Sequence, residues 1–267
     1  MRFFDTRALL FPRNGIHLQW GVEPEGTDLE MVEMEIHRSE SPSGPFINLQ
    51  TLNPLETFAW TDRTAPLRAK RFELYYKLVG TNRSTGVIIH QSQPFGFQGR
   101  LPLDALEIIR QHNILLRGVN GHDPTTGIKT TVYKKKTFGV RCQYCTDEAT
   151  KQIVISQCKM CGGTGLVNGY YSPIPVYMNF QPTPKMLRVM NLGKIEEHES
   201  VAFLTNFPIM YPGDMVVEPD EKHWKVSGVE ITERKRTIVH QLVRIRQLDH
   251  NDVEYELYKH VDNQGLR

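Results

Sequence analysis

The chain holds four cysteines, and they fall as two CxxC pairs, Cys142-Gln-Tyr-Cys145 and Cys158-Lys-Met-Cys161. Twelve residues separate the pairs, and Gly162, Gly163 and Gly165 follow the second. A thiolate pair on one tight turn supplies two corners of a tetrahedron, and a second pair supplies the other two. Cys142, Cys145, Cys158 and Cys161 are therefore the predicted ligands of a structural Zn2+ ion. A complete shell of four thiolates leaves no position for water or substrate, so the site is expected to hold structure rather than to catalyse. Disulfides are the weaker expectation, because Met1-Arg-Phe-Phe-Asp-Thr-Arg7 lacks the basic start and long apolar stretch of a secretion signal. A redox CxxC is usually single and opens a helix beside a strand. An iron–sulfur cluster is the remaining use of four thiolates.

Two basic runs are the other candidates for contact chemistry. Lys134, Lys135 and Lys136 lie just before the knuckles, with Arg141 beside them, and Arg234, Lys235 and Arg236 form a second patch. The lysines are read first as a solvated strand edge that discourages stray pairing. A phosphate contact is the sharper alternative. Glu196, Glu197, His198 and Glu199 make an acidic cluster among turn residues, read as a solvated loop. His112 is read as a packing or surface residue, because four thiols already complete a shell.

These residues must be positioned by a chain that reads as mainly β. Period-two apolar runs at Ile16–Trp20, Met34–Arg38, Phe46–Gln50, Thr57–Thr61, Phe72–Val79 and Val87–His90 alternate with turns, which predicts a sandwich of two sheets over residues 1–98. Trp20, Trp60 and Tyr75 are assigned to its core. One helix is predicted over Leu101–Arg117, with Asp104 capping its first turn and Leu103, Leu106, Ile109, Ile114 and Leu116 on its apolar face. It belongs to a helix and connector over 99–130. A zinc-stapled hairpin unit follows over 131–172, fed by a strand at Thr130–Thr137 and carrying a hairpin strand at Ile153–Ile155. Pro173, Pro175, Pro182 and Pro184 exclude helix from the next segment. It is read as a connector or an arm, with Tyr170, Tyr171 and Tyr177 serving an interface or an intrachain contact. Residues 173–267 are expected to form a small antiparallel β-barrel. Its strands are predicted at Val201–Leu204, Met215–Val217, His223–Val229, Thr237–Ile245 and Val253–Leu257. A fragment of residues 100–267 is expected to fold without the first module.

Composition narrows the function classes. Of 267 residues, 39% are hydrophobic and 23% charged, ordinary for a soluble protein, and no run is long enough to cross a bilayer. The 32 basic and 30 acidic side chains give a net charge of +2, which argues against a broad nucleic-acid-binding surface.

Two family resemblances follow from these segments. The strand ending in Trp20, the strand with Ile36 and Arg38, the Ser-Gly-Pro-Phe turn, Trp60-Thr-Asp62 and Tyr75-Tyr-Lys-Leu-Val79 together resemble a fibronectin type III domain over about residues 10–95. Tyr211-Pro-Gly-Asp-Met-Val-Val217, Trp224-Lys-Val-Ser-Gly-Val229, Val239-His-Gln-Leu-Val-Arg-Ile245 and Asp252-Val-Glu-Tyr-Glu-Leu257 are similar to small neck proteins of tailed bacteriophages. Arg141-Cys142, the Gly162-Gly-Thr-Gly165 run, Asn168-Gly-Tyr-Tyr171 and Pro173 look like a zinc-bearing variant of those connectors.

The resemblance implies a non-enzymatic virion protein of the head–tail junction, made in the host cytoplasm. It implies a ring of copies of this chain between portal and tail that extends the DNA channel and supports joining. Partners would be the portal, other neck or tail proteins and packaged DNA, with no membrane. Lys134, Lys135, Lys136, Arg234, Lys235 and Arg236 would be the DNA- or partner-contacting residues.

Three rivals compete. No Gly-rich phosphate loop ending in Lys-Ser/Thr, no HExxH and no GxSxG occurs, which speaks against the commonest enzyme classes. A zinc-dependent nucleic-acid-binding or adaptor protein is the main alternative, since CxxC pairs beside basic runs suit one. The segment Cys158–Gly165 also resembles one knuckle of DnaJ-type chaperones, but His122-Asp-Pro124 has the wrong order for their J-domain signature.

Overall fold

The computed structural model describes the chain apart from residues 12–14, 66–72, 98–101, 120–125, 148–149, 151, 156, 182–185, 191–192, 198 and 256–267. The first eight strands are β1 (Arg2–Phe11), β2 (Gly15–Glu23), β3 (Val32–Ser39), β4 (Ile47–Leu52), β5 (Ala59–Asp62), β6 (Leu74–Asn82), β7 (Ile88–Gln91) and β8 (Phe95–Phe97). Helix α1 (Leu103–Arg117) follows, then β9 (Ile128–Tyr133), β10 (Ile174–Gln181), β11 (Met186–Met190), β12 (Gly193–Glu197), β13 (Glu199–Leu204), β14 (Met215–Val217), β15 (His223–Arg234) and β16 (Thr237–Gln247). The chain forms two compact units. One comprises Met1–His112, Thr205–Ile209 and Thr232–His240, and the other comprises Asn113–Leu204, Met210–Ile231 and the chain from Gln241 onward.

In the first unit, β1-β2-β5 form one antiparallel sheet and β4-β3-β6-β7 form another, with β8 also paired to β6. Alternation decides which side chains point inward. Met34 and Ile36 are fully buried, while Glu35 and His37, which alternate with them, bond to each other on the outer face at 2.8 Å. Leu10, Ile16, Leu18 and Trp20 of one sheet share a single core with Val32, Met34, Ile36, Leu74, Tyr76 and Leu78 of the other. Each such side chain contributes about 1.5–3 kcal/mol on leaving water. The assignment of Trp20 to the core agrees with this cluster, and Trp60 packs against it.

A buried carboxylate pins the second layer. Asp62 accepts from the Arg38 guanidinium at 2.8 Å, the Tyr76 hydroxyl at 2.7 Å, and the Thr64 amide and hydroxyl at 2.9 and 2.8 Å. Burial alone would raise its pKa, but the bonds from Tyr76, Thr64 and Arg38 outweigh it and hold the carboxyl below its ordinary value.

The compact unit that holds both sheets runs past residue 98, to His112, and takes in two later segments. Strand β2 is buried on both faces, because Thr205–Ile209 covers its outer side. His17 stacks on Phe207 with centroids 4.1 Å apart, Gln19 donates to the Ile209 carbonyl and accepts from its amide, and the Asn206 side chain donates to the Leu10 carbonyl. Thr232–His240, the tip of the β15–β16 hairpin, also belongs to this unit. There Val239 packs with Ala105 and Ile109 of α1. A 100–267 fragment therefore leaves both segments without the surfaces they cover.

Helix α1 begins at Leu103, and residue 101 lies outside the described residues. Asp104 sits inside the first turn, where its carboxylate bridges Arg234 and Lys235 rather than capping the helix. Leu103 is 74% exposed, and the buried face is Ala105, Ile109 and Leu116.

In the second unit, β10-β13-β16-β15-β14-β9 close into an antiparallel barrel. Val132, Val176, Met178, Ala202, Leu204, Val216, Val226, Val243 and Ile245 fill its interior. Its first strand precedes the cysteines, so the barrel does not begin at residue 173: β9 pairs with β10 through Val132↔Ile174 and Ile128↔Met178. The predicted connector is thus a barrel strand. Pro175 is tolerated in it because that part of β10 pairs only with β9, while β13 pairs further on at Asn179–Gln181. Residues 253–255 are helical instead of extended, and 256–257 lie outside the described residues. Glu196 and Glu197, expected in a loop, lie on β12, which pairs with β11, and Glu199 opens β13. Residue 198 lies outside the described residues.

Candidate metal centre

The cysteines occupy the long connection between β9 and β10, which is built as a continuation of that hairpin. Beyond Tyr133 the two chain segments stay paired: the Tyr171 amide donates to the Lys134 carbonyl and the Lys136 amide to the Gly169 carbonyl, both at 2.9 Å. After a short excursion the pairing resumes. The Val167 amide donates to the Val140 carbonyl, the Cys142 amide donates to the Gly165 carbonyl, and Arg141 faces Leu166 in a bridge. The ladder delivers the first knuckle directly beside the end of the second.

The four sulfurs lie within 4.8 Å of one another, with Cys142–Cys158 at 3.8 Å and Cys145–Cys161 at 3.4 Å. Thiolate–metal bonds of about 2.3 Å in a tetrahedron place sulfurs about 3.8 Å apart. The spacing fits one metal ion held by all four. Each cysteine is buried, with exposures of 1–7%. The sulfurs also have the expected surroundings. The Gly165 amide donates to the Cys161 sulfur at 3.3 Å, and the Met160 and Cys161 amides donate to Cys158. Gly165 has φ +75°, which turns its amide toward sulfur, and at Gly169 a Cβ would meet the Thr164 side chain at 2.0 Å.

Burial pushes the Cys145 thiol up to about 12 and also raises Cys161. Burial works against ionising Cys158 too, but the amides of Met160 and Cys161 hold it below the ordinary thiol value. Such thiols give up protons when a cation takes their place. Among the described residues of the unit, Tyr144, Ile153, Val154, Ile155 and Met160 are 49–71% exposed, so these side chains build no apolar core for the knuckles. Ile153–Ile155 does not form the expected strand; Ile153 makes a single bridge to Thr146.

The basic runs separate into buried and exposed members. Lys134 is only 6% exposed: its ammonium meets the Asp214 carboxylate at 2.7 Å and lies 4.1 Å from the Tyr211 ring centroid. Lys136 is buried with its ammonium 5.5 Å from the Tyr171 ring centroid. The solvated-edge reading is corrected for both, and neither presents an ammonium outward. Lys135 alone is exposed, and its amide donates to Asp214. Arg234, Lys235 and Arg236 turn the β15–β16 hairpin with positive φ at Lys235 and Arg236, and Asp104 accepts from the first two. Arg141 is exposed beside the knuckle.

Asp214 and Tyr211, which anchor Lys134, are legible in the sequence only as part of a turn before β14. Tyr170 and Tyr171 are buried within the chain, and Tyr177 lies under Arg117, whose guanidinium is 5.3 Å from the ring. The intrachain alternative therefore holds for these tyrosines. His112 faces His240 edge-on at 5.1 Å and is remote in role from the cysteine cluster. No helix among the described residues is long and apolar enough to cross a membrane. No family model matches the chain, and no curated protein matches it in sequence.

Proposed function

We propose that this chain is a non-enzymatic building block of the tailed-phage neck, repeated in a ring between portal and tail, where it extends the DNA channel and supports head–tail joining. One observation carries the reading most directly. Three of the four segments that resemble neck proteins, Tyr211–Val217, Trp224–Val229 and Val239–Ile245, supply β14, β15 and β16, three adjoining strands of the closed barrel, while the fourth is helical at 253–255. A closed barrel has no free edge and makes a stiff wall element.

The ion is Zn2+ in this reading, because four thiolates at tetrahedral spacing suit it and fill its shell. It would clamp the β9–β10 extension and leave no coordination site for substrate. The first unit would be a fibronectin type III-like module bracing neighbours. Its two antiparallel sheets around one core support that reading.

Burial of Lys134 and Lys136 weighs against the rival reading of a zinc-dependent nucleic-acid binder. The test is to purify the full chain, quantify bound metal, and mix it with the portal protein of its virus for electron microscopy. A ring of copies seated on the portal is expected, with one zinc per chain. A metal-loaded chain that ignores the portal but retards short DNA duplexes, with affinity falling steeply as salt rises, overturns the proposal.

A further inference from the structure

The sheets differ in how their edges are protected. The barrel is closed and has none. In the three-stranded sheet, β1 carries Arg2, Asp5 and Arg7 and a register shift between Phe4 and Arg7. Charges, bulges and short length are the usual ways of keeping a strand edge from pairing with another chain.

The edges of the β4-β3-β6-β7 path lack the charges. No Asp, Glu, Lys or Arg occurs from Ser41 to Leu55, which contains β4, or from Ser84 to Gly99, which contains β7. This is in a chain with 23% charged residues. Apolar side chains stand exposed on both: Ile47 at 67% on β4, and Val87 at 62% and Ile88 at 52% at β7. Met31, 45% exposed, joins the second group, because its carbonyl accepts from the Arg83 amide while the neighbouring Asn82 amide bonds to Val87. Each edge has one bulge, at Leu49 and at Ile89, and β7 is four residues long, so the matched stretch is short. Phe3 touches His90, leaving the Val87–Ile88 end as the open part of β7.

We infer that β4 of one copy docks on β7 of the next. The inference deepens the ring reading and rests on it for the presence of adjoining copies. A second copy is the occupant that the topology offers, because the charge-free strands β4 and β7 end the same four-strand path and each chain carries both halves of the contact. The electrostatic match is neutral against neutral, and burying either edge strands no charged group on the strand itself. The strand directions also match: every pair in the sheet is antiparallel and its path has four strands, so β4 of an identically oriented neighbour runs antiparallel to β7. A contact between different patches on identical chains propagates by rotation and closes when the rotation closes. The exposed Ile47, Val87 and Ile88 side chains would supply the apolar area beside a short ladder.

The experiment uses the full metal-loaded chain and three variants: Ile47→Lys, Ile88→Lys and, as a control at an exposed apolar site off these edges, Val119→Lys. Sedimentation velocity and native mass spectrometry read association, and thermal unfolding verifies that each variant folds. The wild type and the Val119→Lys chain are expected to form the same oligomer, with each edge variant associating at least about tenfold more weakly. An equimolar mixture of the two edge variants should give a one-to-one dimer that does not grow, because one intact β4 and one intact β7 remain. Loss of association in Ile88→Lys alone, with Ile47→Lys unaffected, overturns the β4–β7 contact in favour of a two-fold β7–β7 dimer. A wild-type oligomer untouched by either edge variant overturns the surface and leaves the ring reading standing. A wild type that stays monomeric from micromolar to millimolar concentration also overturns this contact, and the ring reading is then decided by the portal experiment.

Discussion

The two-sheet unit and the cysteine extension stay folded by opposite means. The first surrounds Leu18, Met34, Ile36, Tyr76 and Leu78 with other apolar groups and buries its one central carboxylate under four donated hydrogen bonds. The second exposes most of its large apolar side chains and buries four sulfurs instead. A core built of many weak contacts loses a fraction of its stability when one is removed. A unit held by an ion at those sulfurs would lose nearly all of it at once.

The four clustered sulfurs could hold a metal ion, and taking such an ion away should break that contrast most severely. Chelation, or Cys161→Ser, should abolish hydrogen-exchange protection across residues 140–167 while β2, β3 and β6 keep theirs. Metal binding in such sites is worth on the order of 10–16 kcal/mol, so the effect is the largest expected. Acid should act like the chelator, because protons compete with metal for the thiols, and neutral pH should restore the site. Equal loss of protection in both regions would show that they are not held separately.

A smaller break lies where the extension meets the barrel. Asp214→Ala leaves the Lys134 ammonium buried beside Tyr211 without its carboxylate, and is expected to cost about 3–5 kcal/mol in denaturant unfolding. Asp62→Ala tests the first unit in the same way. It removes the acceptor of Tyr76, Arg38 and Thr64, at a cost of about 1–3 kcal/mol. The pH dependence has a definite sign. The Asp62 pKa is lower in the folded chain than its ordinary value of about 3.9, so its contribution is present above that value. It is lost as pH falls through the folded pKa, and acid titration of the wild type against Asp62→Asn measures it. The least effect is expected for Lys135→Ala, within about 0.5 kcal/mol, since that side chain is exposed and only its amide serves Asp214. A large loss there would mean that burial does not distinguish the three lysines.

Local patterns carry much of this fold. The CxxC spacing names all four clustered sulfurs, and alternation finds β2, β3, β6, β15 and β16. Strand β1 escapes such a reading because Asp5, at φ +47°, and the register shift after Phe4 interrupt its alternation. Val253–Tyr255 alternates as a strand would, but the Tyr255 amide bonds back to Asp252 in a helical turn. What local pattern does not carry is long-range. Nothing near Lys134 announces Asp214, 80 residues on, and nothing near Val132 announces Ile174. Partners fixed by tertiary pairing decide whether a lysine is a surface charge or an anchor.

The ladder that runs, with one short excursion, from the knuckles to β9 and β10 bears on how the chain finds its fold. Without a cross-link, Tyr133 and Ile174 must meet across a floppy loop, and the search entropy grows with its length. An ion gripping both knuckles early would shorten that search to two adjoining arms that zip toward the barrel. Refolding of the second unit should then run faster when zinc is added at the start than when it is supplied after denaturant is removed.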